Sequence, residues 1–172
     1  RESTYKNYFW MVPYDLQGLI DSIGGKEAAE KRLDEMFRRL DASYGDEWFA
    51  SGNEPSFQIP WIYNWAGAPY KAQQVIRRIL NEQYSSRVNG LPGNDDLGSM
   101  GAWYVFASIG LFPEIPGVGG FSVNSPVFRK IVLHLPEGDV IIKGGDEKKE
   151  YIHSLSLDGK KMEGTWIDWS DL

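Results

Sequence analysis

Two stretches of the chain carry side chains equipped to break a covalent bond. One is Asn53-Glu54-Pro55-Ser56. The other is Gly93-Asn94-Asp95-Asp96-Leu97-Gly98, which runs straight into the apolar segment Ser99–Ile109. Two adjacent carboxylates and an amide just before a helix can point toward a cleft and toward the positive end of that helix. A further acid, Glu2, stands at the start of the sequence. Hydrolysis of a glycosidic bond needs two carboxyl groups, one protonated to assist the leaving oxygen and one ionised to activate water or attack carbon. Glu2, Glu54, Asp95 and Asp96 are the candidates, with Asn53 and Asn94 as neighbouring amides. Each has a structural alternative. Asp95 or Asp96 can cap the following helix or close a turn, Glu54 can be a solvated loop acid, and Asn53 can be a turn former.

Other chemistries lack their parts. There is no cysteine, no Gly-x-Gly-x-x-Gly, no His-Glu-x-x-His and no Gly-x-Ser-x-Gly. His134 and His153 fall in strand-like sequence and read as structural residues, and Glu147-Lys148-Lys149-Glu150 reads as a solvated turn. Over 172 residues, 18 Lys+Arg stand against 24 Asp+Glu, a net charge of -6. Without blocks of like charge, that balance argues against nucleic acid or an anionic membrane as partner. No apolar run approaches the ~20 residues of a membrane helix, and the sequence opens on Arg1-Glu2-Ser3-Thr4 rather than a signal peptide. The expectation is a soluble piece, or part of something larger. Aromatic residues make up 14% of the chain, with 7 Trp, 9 Tyr and 8 Phe. Such rings can bury the C–H face of a sugar while amides and carboxylates bind its hydroxyls, or they can simply fill a core.

The elements that position these residues change character once along the chain. Ala29, Leu33, Met36, Phe37 and Leu40 fall on one face of Lys26–Leu40, and Ala72, Val75, Ile76, Ile79 and Leu80 form a stripe from Pro69 to about Tyr84. Both predict amphipathic helices. Gln58–Trp65 and Ser99–Ile109 are apolar nearly all round and predict helices of an inner layer. After Phe112-Pro113, Gly120–Val123, Phe128–Leu135, Asp139–Lys143 and Tyr151–Leu157 alternate with turn signals and predict an antiparallel meander. Gly164–Leu172 reads as an ending without a closing strand. The class is α+β: a helical segment over 1–112 followed by β structure over 113–172.

Five ordered stretches resemble a known family: Trp10-Met11-Val12-Pro13-Tyr14-Asp15, Gly52-Asn53-Glu54-Pro55-Ser56, Pro60-Trp61-Ile62-Tyr63-Asn64-Trp65-Ala66-Gly67, Gly93-Asn94-Asp95-Asp96-Leu97-Gly98-Ser99-Met100 and Ala102-Trp103-Tyr104-Val105-Phe106. They are similar to the C-terminal catalytic part of glycoside hydrolase family 92, the calcium-dependent, inverting exo-α-mannosidases. The resemblance implies part of an (α/α)6 toroid followed by antiparallel β structure, without the family's N-terminal β-sandwich and the remainder of the barrel. It places Asp96 as the general base and Glu2 as the general acid. Asn94 takes the position two before the base, where some members have a second Asp. Asn53 and Glu54 match a pair lining the leaving-group subsite, and Asp95 joins them as substrate-binding. The implied cofactor is Ca2+ and the implied partner a mannose-containing glycan. The parent protein is expected to be secreted, periplasmic or at the cell surface.

Three kinds of protein fit these residues: a catalytic segment of an α-mannosidase, a non-catalytic glycan-binding module, and a helical interaction domain. The first predicts Glu54, Asn94 and Asp96 in one cleft at the same end of the helices. The last gains if Trp61, Trp65 and Trp103 are wholly buried and the carboxylates scatter.

Overall fold

In the computed structural model, which describes residues 3–172, every α-helix lies before Gly110 and every strand after it. The helices are α1 (Tyr5–Tyr8), α2 (Leu16–Ser22), α3 (Lys26–Met36), α4 (Ile62–Trp65), α5 (Pro69–Glu82) and α6 (Ser99–Ile109). Both apolar stripes face inward: Ala29, Leu33, Met36, Phe37 and Leu40 are buried, as are Ala72, Val75, Ile76, Ile79 and Leu80. Pro69 supplies the first turn of α5, where a missing N–H costs nothing. α3 is shorter than its periodicity predicts. The Phe49 N–H donates to the carbonyls of Met36 and Arg39, at 3.1 and 3.3 Å, so a neighbouring strand-like segment takes the carbonyls that a longer helix would use. The 58–65 segment is also not one helix. A 3-10 turn at Ile59–Trp61, with Pro60 in its first positions, leads into α4.

The strands are β1 (Leu111–Phe112), β2 (Gly120–Val123), β3 (Lys130–Leu135), β4 (Gly138–Lys143), β5 (Ser156–Leu157), β6 (Lys160–Lys161) and β7 (Trp166–Asp168). All pairings are antiparallel, but they form three separate sheets rather than one meander: β1-β2-β7, β3-β4 and β5-β6. The end of the chain does contain a strand. β7 pairs with β2, Ile167 opposite Phe121, because Ile167 is buried in a cluster with Leu111, Phe121 and Val123. Of the expected strand Tyr151–Leu157, only Ser156–Leu157 pairs. Its earlier backbone is tied to the helical half instead, Ile152 N–H donating to Gln73 Oε1 at 2.9 Å.

The core is an aromatic column shared by both halves. Trp61 stacks on Phe112 with ring centres 4.1 Å apart and meets Trp103 edge-on at 5.7 Å, and Trp103 stacks in turn on Tyr84. Offset and edge-to-face geometry of this kind adds to the large area that the rings remove from water. Arg77, buried on α5, is a second link. Its guanidinium donates to the carbonyls of Ser125, Pro126, Asp146, Glu147 and Lys149 at 3.3–3.5 Å. Among the described residues no helix is long and apolar enough to cross a membrane.

Candidate active site

The two acid-bearing stretches meet because glycine backbones let them touch. A Cβ on Gly52 would stand 3.0 Å from Gly93 Cα, and one on Gly93 would stand 2.8 Å from Gly52 Cα. Neither position has room for a side chain. The Glu54 side of this contact is anchored from below by buried Asn7. Its Nδ2 donates to Trp48 O at 2.8 Å, and its Oδ1 accepts from Ala50 N and Ser56 Oγ, both at 3.2 Å. The Trp103 indole N–H donates to Phe57 O at 3.1 Å, so α6 itself holds the end of the 3-10 turn Glu54–Ser56.

On the other side, the chain enters α6 through three successive left-handed residues: Asp96 at φ 47°, Leu97 at φ 60° and Gly98 at φ 93°. The left-handed region costs an ordinary residue about 1–2 kcal/mol, least for Asp and Asn, whose short polar side chains bond locally. Non-glycine residues held there concentrate at functional sites. Leu97 gains nothing in compensation, since its side chain is fully exposed. The turn delivers Ser99, whose N–H donates to Asp96 O at 3.2 Å and whose Oγ lies 2.6 Å from both Asp96 O and Glu54 Oε1.

Glu54, Asp95 and Asp96 are therefore gathered around the first turn of α6, at the positive end of the helix dipole, and all three are exposed. Asp95 is turned inward along the helix: its Oδ1 accepts from the Gly101 N–H at 3.2 Å, the capping role left open beside substrate binding. Asn94 is exposed directly after Gly93. Asn53 is half-buried, its backbone N–H donating to Ala50 O and its carbonyl accepting from Ser56 N. Glu2 lies outside the described residues. Trp61 and Trp103 are core residues and Trp65 is half-buried, so the indoles of the column hold the scaffold beneath the acids. Cavities of about 580 and 520 Å³ lie elsewhere, one against α1 and α3 beside Trp48 and one among the strands beside Ile142 and Ile152. His134 pairs with Asp139 across the β3–β4 hairpin at 2.7 Å, exposed and apart from the acids.

A calcium ion takes six to eight oxygen ligands. Among the described residues no three carboxylate or imidazole groups converge to hold a metal, and the Asp95 oxygen is already bonded to backbone. The acids around α6 therefore do not by themselves make a calcium site. Three residues with structural weight were not singled out from the sequence: Asn7, Ser99 and Glu114. Ser99 was legible in principle, as a hydroxyl three residues after a turn acid. Glu114 and Asn7 depend on contacts with distant segments. Glu114 is buried, its Oε2 accepting from Trp65 Nε1 at 3.3 Å and from Ser122 Oγ, and burial pushes its carboxyl up to about 7 against these two bonds.

Comparison with known proteins decides the lineage. The profile of the glycosyl hydrolase family 92 catalytic domain matches residues 1–172, the whole sequence. The chain belongs to glycoside hydrolase family 92. Among solved members of family 92, the α-mannosidase BT3965 from Bacteroides thetaiotaomicron is 34% identical with a TM-score of 0.89, over 100% of this chain and 23% of that one. The inverting mannosidase BT2199 from the same organism is 30% identical with a TM-score of 0.88, over 100% of this chain and 26% of that one. An uncharacterized secreted glycosidase of Arthroderma benhamiae is 31% identical over 176 residues, 96% of this chain and 22% of that protein. The chain thus spans about a quarter of the length of these relatives, and it shares their α+β fold over its whole extent.

Proposed function

We propose that this chain is the part of a family 92 α-mannosidase that carries the water-activating acid and the leaving-group subsite. The polypeptide would release terminal α-linked mannose from glycans outside the cytoplasm. The observation that carries this reading is the convergence of Glu54 and the Asp96 turn on Ser99. Residues 1–112 would belong to the helical barrel and 113–172 to the β structure that follows it, the N-terminal sandwich and the other barrel helices coming from the rest of the polypeptide. In the mechanism so proposed, the Asp96 carboxylate takes a proton from water while that oxygen forms a bond to the anomeric carbon. The bond to the leaving oxygen breaks, and Glu2 gives that oxygen its proton. Such a single displacement inverts the anomeric configuration and needs the two carboxyl groups about 6.5–9.5 Å apart. Asn94 would stand with Asp96 in the catalytic group, and Asn53, Glu54 and Asp95 would bind substrate, the first two at the leaving sugar. Calcium remains part of the proposal through the family resemblance alone, and no step is routed through it.

The test is release of free mannose from α-linked mannobiosides by the full-length polypeptide carrying these residues, with and without a calcium chelator, and by its Asp96→Asn variant. Loss of a general base lowers kcat by about a thousandfold, and NMR of the first product gives β-mannose. Equal rates in all three samples, or α-mannose released first, would overturn the reading. Mannose binding without turnover in the parent protein would mark a non-catalytic module instead.

A further inference from the structure

Ser99 sits where two acceptors compete for one proton. Its Oγ lies 2.6 Å from Glu54 Oε1 and 2.6 Å from Asp96 O. The Asp96 carbonyl, however, already accepts the Ser99 N–H. A carbonyl can accept a second hydrogen bond, but the carboxylate is the stronger acceptor of the two, and the hydroxyl proton lies toward Glu54. Among the described residues Ser99 is the side chain that hydrogen-bonds Glu54, and Glu54 is exposed. A solvent-facing glutamate without such a bond samples many rotamers, and fixing it costs entropy at each binding event. The left-handed turn at residues 96–98 is what aims the Ser99 hydroxyl back across the Gly52–Gly93 contact.

We infer that Ser99 is a positioning residue that sets leaving-group specificity by holding the Glu54 carboxylate in register with the Asp96 turn. The inference rests on the mannosidase reading above. It divides the two contacts of one residue: removing the hydroxyl frees Glu54, while the backbone N–H still holds Asp96 O. A mannobioside, whose departing sugar has hydroxyls for Glu54 to bind, depends on the first contact. An aryl α-mannoside, whose departing phenol has none, depends on the second only.

The experiment compares kcat/KM for an α-mannobioside and an aryl α-mannoside in the full-length polypeptide and its Ser99→Ala and Ser99→Thr variants. Ser99→Ala is expected to lose about tenfold on the mannobioside, to stay within about twofold on the aryl mannoside, and to recover in Ser99→Thr. Equal losses on both substrates, or none on either, overturn the assignment. A double-mutant cycle on the mannobioside covers the case in which Ser99→Ala folds poorly. The cycle pairs Ser99→Cys, whose thiol is a weak donor of nearly the same size, with Glu54→Ala: the double variant should lose less than the two separate losses combined, and full additivity also overturns the assignment. A parent protein that releases mannose from neither substrate overturns the mannosidase reading itself, a result distinct from all of these.

Discussion

Gly52 and Gly93 lie backbone against backbone, so that a Cβ on either would press to within 3.0 Å of the other's main chain. Through this contact the loop of Glu54 and the loop of Asp96 behave as one body. Gly52→Ala or Gly93→Ala must push them apart. We expect each to lower mannose release by the full-length polypeptide by tenfold or more, since sub-ångström placement governs such chemistry, and to destabilise by about 1–3 kcal/mol. Thermal unfolding beside the activity assay checks both, and an alanine variant with parental activity would contradict the claim.

Leu97 makes the opposite case. It stands at φ 60° with its side chain in solvent. Leu97→Gly removes the left-handed penalty of about 1–2 kcal/mol and adds the flexibility of glycine to the unfolded chain, about 0.5–1 kcal/mol. The melting temperature is therefore expected to hold or rise slightly. A clear fall would show that Leu97 makes a contact in the full-length protein.

Glu114 gives a pH dependence. Burial is the largest cause of its rise from 4.5 to about 7, so the folded chain binds this proton more tightly than the unfolded one. Its favourable contribution is complete below about pH 4.5 and is lost as pH climbs through 7. The span is of the order of 3 kcal/mol. Glu114→Gln does not titrate. Its stability relative to the parent is expected to improve between pH 5 and pH 8.5, measured by urea unfolding at each pH, and a pH-independent difference would refute this.

Arg77 predicts a loss that charge alone does not repair. Lysine carries the charge but cannot reach five carbonyls with a compact ammonium group. Arg77→Lys is expected to destabilise by about 2–4 kcal/mol and to increase proteolytic nicking of residues 144–150. Equal protease resistance in variant and parent would count against the clamp.

What could be read from the sequence followed repeat length. The stripes of α3 and α5 repeat over several turns, and every stripe residue is buried. Ser99–Ile109 forms α6 over just the predicted span, with Gly98 and Gly110 left-handed at its two ends. The β half was harder, because pairing partners are set by burial far along the chain. Ile167 chooses β2 through Phe121 and Val123, and no local signal in 164–172 announces it. At the site, the acids and amides stood in recognisable loops, but their meeting at Ser99 required the Gly52–Gly93 contact, which spans 41 positions and leaves only two glycines as its trace.

Arg77 recognises its loop almost wholly through main-chain oxygens, and every amino acid offers the same oxygen. Asp146 shapes the loop with its own carboxylate, which accepts from the Lys148 N–H at 3.0 Å and from Arg129 at 2.9 Å, but the joint between helices and strands reads only the main chain at 147 and 149. Those two positions are free to drift in size while the seam stays shut, and an insertion that shifts the carbonyl spacing would open it.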